Sequence, residues 1–169
     1  MATLIVEDGT GVANANTYAS VAYARAYASD VGLVLPADDA ALGVSLLAAM
    51  GYIESQPYQG QPTNPAQALQ WPRRLATMNG APIADNVIPD GIKKAQVQAA
   101  NLIANGSNLF ESISGQFVTK EKVGPIETEY SDEYLATWNG RTLYPAIDIF
   151  LTPYLNWVGG YRLSPAFGF

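Results

Sequence analysis

Prolines at positions 57, 62, 65, 72 and 82, followed by another at 89, divide this chain into two stretches that can form regular structure and one that resists it. Proline has no amide donor and a fixed φ, so it interrupts both helix interiors and sheet ladders. The run from 57 to 89 is therefore expected to be a long loop, and loops of that length usually serve function or interaction. Regular elements must lie on either side of it.

Before the loop, Thr3 to Val6 is short, apolar and β-branched and reads as a short strand or an extended arm. Ser20 can cap a helix running to about Asp30, with Tyr23 and Tyr27 on one face and Gly32 as its stop. After Pro36, Asp38 and Asp39 suit a helix N-terminus, and Leu42, Leu46, Ala49, Met50 and Ile53 recur at helical spacing as far as Gln56. Beyond the loop, Pro89 is placed as a first helical residue, with Ile92, Ala95, Gln96, Ala99, Ala100 and Ile103 continuing the pattern to Gly106. Residues 116–122 and 126–130 alternate around Val123, Gly124 and Pro125, which predicts a β-hairpin pairing Lys120 and Lys122 with Glu127 and Glu129. A hairpin that small needs cover, expected from Leu4 to Val6 or from a neighbouring subunit. Pro145 opens a fourth helix through Ile147, Phe150, Leu151, Tyr154 and Leu155, kinked at Pro153. The fold expected is mainly α: a bundle of about four helices in residues 1–158, with a β-hairpin at about 116–131, a long Pro-rich loop and an extended tail at 159–169.

Composition limits the chemistry. The 169 residues contain no histidine and no cysteine, which removes the commonest general base, the commonest zinc ligand and every Cys/His nucleophile arrangement. No phosphate-cradling glycine loop or nucleophile elbow occurs, so no enzyme activity and no cofactor or metal are expected. The pairs Asp38/Asp39 and Asp132/Glu133 read better as a helix-end charge pair and a solvated loop than as cation sites. Fifteen carboxylates against nine Lys and Arg give a net charge of -6, which opposes tight binding to phosphate backbones. Only 14% of residues are charged, against about 25% in an average soluble domain, so the surface favours burial against partners. No run nears the roughly 20 apolar residues that span a bilayer, and the start MATLIVEDG has no basic n-region, so no membrane contact and synthesis in the cytoplasm are expected.

Two groups stand out as candidate contacts. Arg73 and Arg74 follow Trp71 and Pro72, an aromatic-arginine combination typical of interface anchors, and either a subunit interface or an internal salt bridge suits the arginines. Lys93 and Lys94 read as a solvated helix face ahead of a phosphate contact. In the tail, Trp157, Tyr161, Arg162, Leu163, Phe167 and Phe169 are spread among Gly and Pro, so a docking role suits them better than a regular element.

Several segments resemble a phage family often labelled DnaT-like single-stranded-DNA-binding, related in pattern to the helical head-tail connectors of long-tailed phages. They are LIVEDGTGVANANTYAS at 4–20, QALQWPR at 67–73, VIPDGIKKAQVQAA at 87–100, KEKVGPIETEY at 120–130 and YPAIDIFLTPYL at 144–155. The resemblance implies a structural virion subunit in the neck: an adaptor or head-completion ring of about twelve copies beneath the portal. It implies portal and tail or neck proteins as partners, with DNA passing through the lumen unbound. The family label itself implies the alternative, an accessory single-stranded-DNA-binding protein. An acidic chain suits the ring better, because single-strand binders need aromatic platforms beside a cationic groove.

Overall fold

The computed structural model describes residues 3–110 and 144–156 in full, together with the backbone of four short strands between them. The chain is mainly α. Helix α1 (Val21–Val31) starts at Ser20, whose side chain accepts from the Tyr23 amide at 3.1 Å, and stops at Gly32, φ 72. This left-handed end is open to glycine without steric cost. Helix α2 (Asp39–Glu54) starts at Asp38, which accepts from the Ala41 amide at 2.9 Å. Helix α3 spans Asp90–Ala104. Here the expectation for Pro89 is corrected: it is the capping residue outside the helix, with ψ 138, and its carbonyl already accepts from the Ile92 amide at 3.0 Å. Helix α4 (Pro145–Leu151) tightens into a 3-10 turn over Thr152–Tyr154, so Pro153 marks a change of helical pitch.

The core forms where the inward faces of α2 and α3 meet. Leu42, Leu46, Ala49 and Ile53 of α2 and Ile92, Ala95, Ala99 and Ala100 of α3 are all buried, and α4 adds Ile147 and Leu151. Each large aliphatic side chain withdrawn from water stabilises the fold by about 1.5–3 kcal/mol. Gly91 allows α4 to close on α3, since a Cβ there would lie 2.7 Å from the Tyr154 ring.

Within that apolar layer sits one amide side chain. Gln96 is fully buried; its Oε1 accepts from the Tyr18 amide at 3.0 Å and the Ala19 amide at 2.8 Å. Its Nε2 donates to Thr17 Oγ1 at 2.7 Å and to the Leu46 carbonyl at 3.0 Å. Every hydrogen-bonding position of the amide is used.

The opening residues form an arm rather than a strand. Val6 makes a single parallel bridge to Thr17, and the Asn16 side chain accepts from the Ile5 amide and donates to the Thr3 carbonyl. Leu4 rests against Gly43 of α2. Of the two covers expected for the hairpin, Leu4 to Val6 is not one, because the arm spends its hydrogen bonds on the segment before α1; a neighbouring subunit is the other. The hairpin itself has strands β5 (Lys120–Val123) and β6 (Ile126–Glu129), with Lys120 opposite Glu129 and Lys122 opposite Glu127. A further pair, Thr137–Trp138 with Arg141–Thr142, was not foreseen in the pattern.

The proline-rich stretch also differs from the structureless loop expected. It contains two antiparallel ladders of two residues each: β1 (Gln61–Pro62) with β2 (Arg73–Arg74), and β3 (Thr77–Met78) with β4 (Ala81–Pro82). Prolines limit each ladder to that length. Gly60, φ 70, lets the first ladder close, because a Cβ there would lie 2.2 Å from the Arg74 carbonyl oxygen.

Gln96→Leu keeps the helix and much of the volume but strands the Tyr18 and Ala19 amides inside the core. Each orphaned donor costs about 1–3 kcal/mol. The unfolding free energy from urea denaturation should fall by about 3 kcal/mol or more.

Candidate functional site

The long loop is fastened to the bundle by a clamp of side chains centred on Trp71. Trp71 is 0% exposed and stands edge-on between Tyr58, at 5.7 Å between ring centroids, and Tyr154, at 5.9 Å. Edge-to-face pairs add about 0.5–1.5 kcal/mol beyond area burial. The Trp71 amide donates to the Tyr18 hydroxyl at 3.0 Å, and that hydroxyl donates to Glu54 Oε1 at 2.5 Å. The second Glu54 oxygen accepts from the Gln70 amide at 2.8 Å, while the Gln70 side chain donates to the Glu54 carbonyl. The Trp71-Pro72 peptide bond is cis.

Arg73 is the positive member of the clamp and is 6% exposed. Its Nε donates to the Gln59 carbonyl at 2.7 Å and Nη2 to the Gly60 carbonyl at 2.9 Å. Nη1 donates to the Gln70 side-chain oxygen at 3.0 Å, and the guanidinium lies over the Tyr58 ring at 5.9 Å. The planar fork is spent on main-chain oxygens, a geometry lysine cannot reproduce. The structure thus places Trp71 and Arg73 inside the chain's own fold, and Arg73 is held by carbonyls where a salt bridge was one of the two readings. Arg74 is exposed, donating to the Gln61 side chain at 3.2 Å.

Burial shapes the electrostatics of the clamp. It raises the Glu54 carboxyl from the ordinary 4.5, outweighing the hydrogen bonds from Tyr18 and Gln70. It likewise raises the Tyr18 hydroxyl well above 10, assisted by Glu54, and lowers the Arg73 guanidinium.

A second cluster lies where α1 faces the start of α3. The Tyr23 hydroxyl donates to Asp90 at 2.5 Å, and Lys94 forms an ion pair with the same carboxylate at 2.7 Å. Lys93 sits over the Tyr23 ring at 5.8 Å and Lys94 over the Tyr27 ring at 5.9 Å. Lysines beside aromatics are the ingredients of a single-strand-binding platform. Here each lysine covers a ring, and Asp90 neutralises one of them. Burial would raise the Asp90 carboxyl, but hydrogen bonds from Lys94 and Tyr23 hold it below 3.8.

The third feature is apolar. Between Asp39 and Glu54, α2 carries no charged residue, and its outward side exposes Ala41, Val44, Ala48 and Gly51. Val44 is 57% exposed, and Phe110, itself 61% exposed, packs on Gly51. On the loop, Leu75 is 78% exposed and held at φ 62, a conformation costly for a side chain of that size. Asp38 and Asp39 serve the α2 cap and an ion pair with Arg25 at 2.8 Å, and no group of three metal-ligating residues occurs among the described residues. Asp132, Glu133 and the tail residues Trp157, Tyr161, Arg162, Leu163, Phe167 and Phe169 lie outside the described residues.

A family model described as "Putative DnaT-like ssDNA binding protein" matches residues 2–164. The chain belongs to this family. No curated protein and no solved structure matches it. Residues 4–20, 67–73, 87–100, 120–130 and 144–155, which carry the resemblance in the sequence, all fall inside the match. Tyr18, Glu54 and Gln70, essential to the clamp, escaped sequence reasoning because each resembles an ordinary surface polar residue. Gln96 left a usable signal, since it interrupts an otherwise apolar helix face.

Trp71→Ala removes the aromatic centre of the clamp and should lower the unfolding free energy by about 3–5 kcal/mol, read from urea denaturation. A second test uses Glu54. The folded chain holds its proton more tightly than the unfolded chain, so its contribution is fully present below about pH 4.5 and is lost as pH rises through the raised value. The stability advantage of the wild type over Glu54→Gln should therefore be largest in acid and shrink toward neutral pH. An advantage that grows with pH would contradict this account.

Proposed function

We propose that this member of the DnaT-like family is a non-enzymatic assembly subunit, working in the head-tail connector ring of a tailed phage, where it binds the portal and joins capsid to tail. The observation that carries this reading is the uncharged outward side of α2, a helix apolar on all sides in a chain of net charge -6. A helix of that kind is normally covered, and a repeated contact between copies covers it while closing a ring. The charge-poor, acidic surface also suits a passage that DNA traverses without sticking. The protein is made in the cytoplasm and acts in the virion neck, with no cofactor and no membrane contact.

The second reading, single-stranded-DNA binding, rests on the family's description. Against it stand the described cations: Arg25 pairs with Asp39, Lys94 with Asp90, Lys93 covers Tyr23, Arg73 is buried and Arg74 contacts Gln61. Among residues 3–110 and 144–156 this leaves no cationic groove.

Fluorescence anisotropy with a labelled single strand, at low and at physiological salt, separates the two readings. A connector subunit should bind weakly at low salt and not measurably at physiological salt. Tight binding with a steep salt slope would establish the second reading. Electron microscopy of the protein mixed with portal should show a ring of density beneath the portal.

A further inference from the structure

Asparagine followed by glycine occurs at Asn79–Gly80, Asn105–Gly106 and Asn139–Gly140, the last outside the described residues. The pairing is chemically labile: asparagine is a thermally sensitive residue, and glycine offers its amide nitrogen with no side chain in the way. Both described pairs are exposed, and a Cβ on either glycine would meet nothing within 4 Å. Their hydrogen bonding differs sharply. Gly106 donates its amide to the Ile103 carbonyl at 2.9 Å, and the Asn105 side-chain amide donates to the Asn101 carbonyl at 2.9 Å. Both reacting groups at 105–106 are therefore held at the end of α3. At 79–80 the two residues form the turn between β3 and β4, both at positive φ, 53 and 82. Neither the Asn79 side chain nor the Gly80 amide has a hydrogen-bond partner among the described residues.

We infer that Asn79 is a site of spontaneous deamidation, modified well ahead of Asn105. The Gly80 amide nitrogen, having lost its proton to solvent, attacks the Asn79 side-chain carbonyl. A nitrogen–carbon bond forms, the bond to the side-chain nitrogen breaks, and that nitrogen leaves as ammonia. Water then opens the cyclic imide at either carbonyl, giving aspartate or isoaspartate with no oxidant or reductant involved. Either product adds a negative charge to the loop tip. Isoaspartate also lengthens the backbone between Met78 and Ala81, so a two-residue turn no longer closes that pair. Met78 is in direct contact with the clamp, because its sulfur accepts from the Tyr154 hydroxyl at 3.4 Å.

The test is peptide mapping by mass spectrometry of the intact, folded chain after incubation at mildly alkaline pH, alongside a sample held in concentrated urea. Folded protein should gain the acid-for-amide mass change, with both aspartate and isoaspartate, several-fold faster at Asn79 than at Asn105. In urea the two sites should react at similar rates, since both precede glycine. Equal rates at the two sites in the folded chain would overturn the proposal. So would a preference for Asn79 that survives unchanged in urea, because the cause would then be sequence and not fold.

Discussion

The four hydrogen bonds of the Gln96 side chain join three parts of the chain inside the core: the segment before α1, α2 and α3. Two come from consecutive amides at 18 and 19, one goes to Thr17 and one to the Leu46 carbonyl of α2. A buried amide costs free energy unless all its positions are filled, so the arm before α1 can take one register only against α2 and α3. That register puts the Tyr18 hydroxyl where it meets Glu54 and the Trp71 amide. The loop clamp is therefore downstream of Gln96: without a fixed Tyr18, neither Glu54 nor Trp71 would have its partner. Apolar packing of α2 on α3 supplies most of the driving force, but it is the amide that selects one arrangement.

Most of the positive charge on residues 3–110 is spent on internal work. Arg73 binds carbonyls inside the loop, Arg25 fixes α1 to the start of α2, and Lys94 fixes α3 to its own first turn. What is left outward on α2 is aliphatic and small, and on the loop a leucine in a strained conformation. Surfaces of this kind associate with protein more readily than with phosphate, and the proposal of an assembly role rests on that preference. The family's description and this disposition of charge point in different directions, and the difference is one of surface chemistry alone.

The helices were legible in the sequence because their signals are local. Ser20, Gly32 and Asp38 each act at the positions that capping chemistry assigns them, and the apolar periods of α2 and α3 name the buried residues. The hairpin register at Lys120 to Glu129 was legible for the same reason. What could not be read depends on distant partners. Prolines said correctly that long strands are excluded from 57–89, but not that Gly60 and the Asn79–Gly80 turn permit ladders of two residues. Trp71 and Arg73 were recognisable as anchors by residue type, while the choice between the chain's own fold and a neighbour required Tyr18, Glu54, Tyr58 and Tyr154, scattered along the chain. Pro89 was misplaced by one position because the pattern gives residue identity and not ψ.

Tyr154 lies at the junction of these parts: its ring flanks Trp71, its hydroxyl reaches Met78, and its ring edge lies against Gly91 in the first turn of α3. Beside it, the chain at 154–156 runs antiparallel to 57–59, with Gln59 donating to the Tyr154 carbonyl at 2.9 Å and Asn156 to the Pro57 carbonyl at 2.7 Å. This arrangement defines a load path. Tension applied to the chain beyond 156 would fall first on that short bridge and then on Tyr154, and its release would at once loosen the loop clamp and uncover the first turn of α3. The bundle would feel a pull at this end as a change at two remote places.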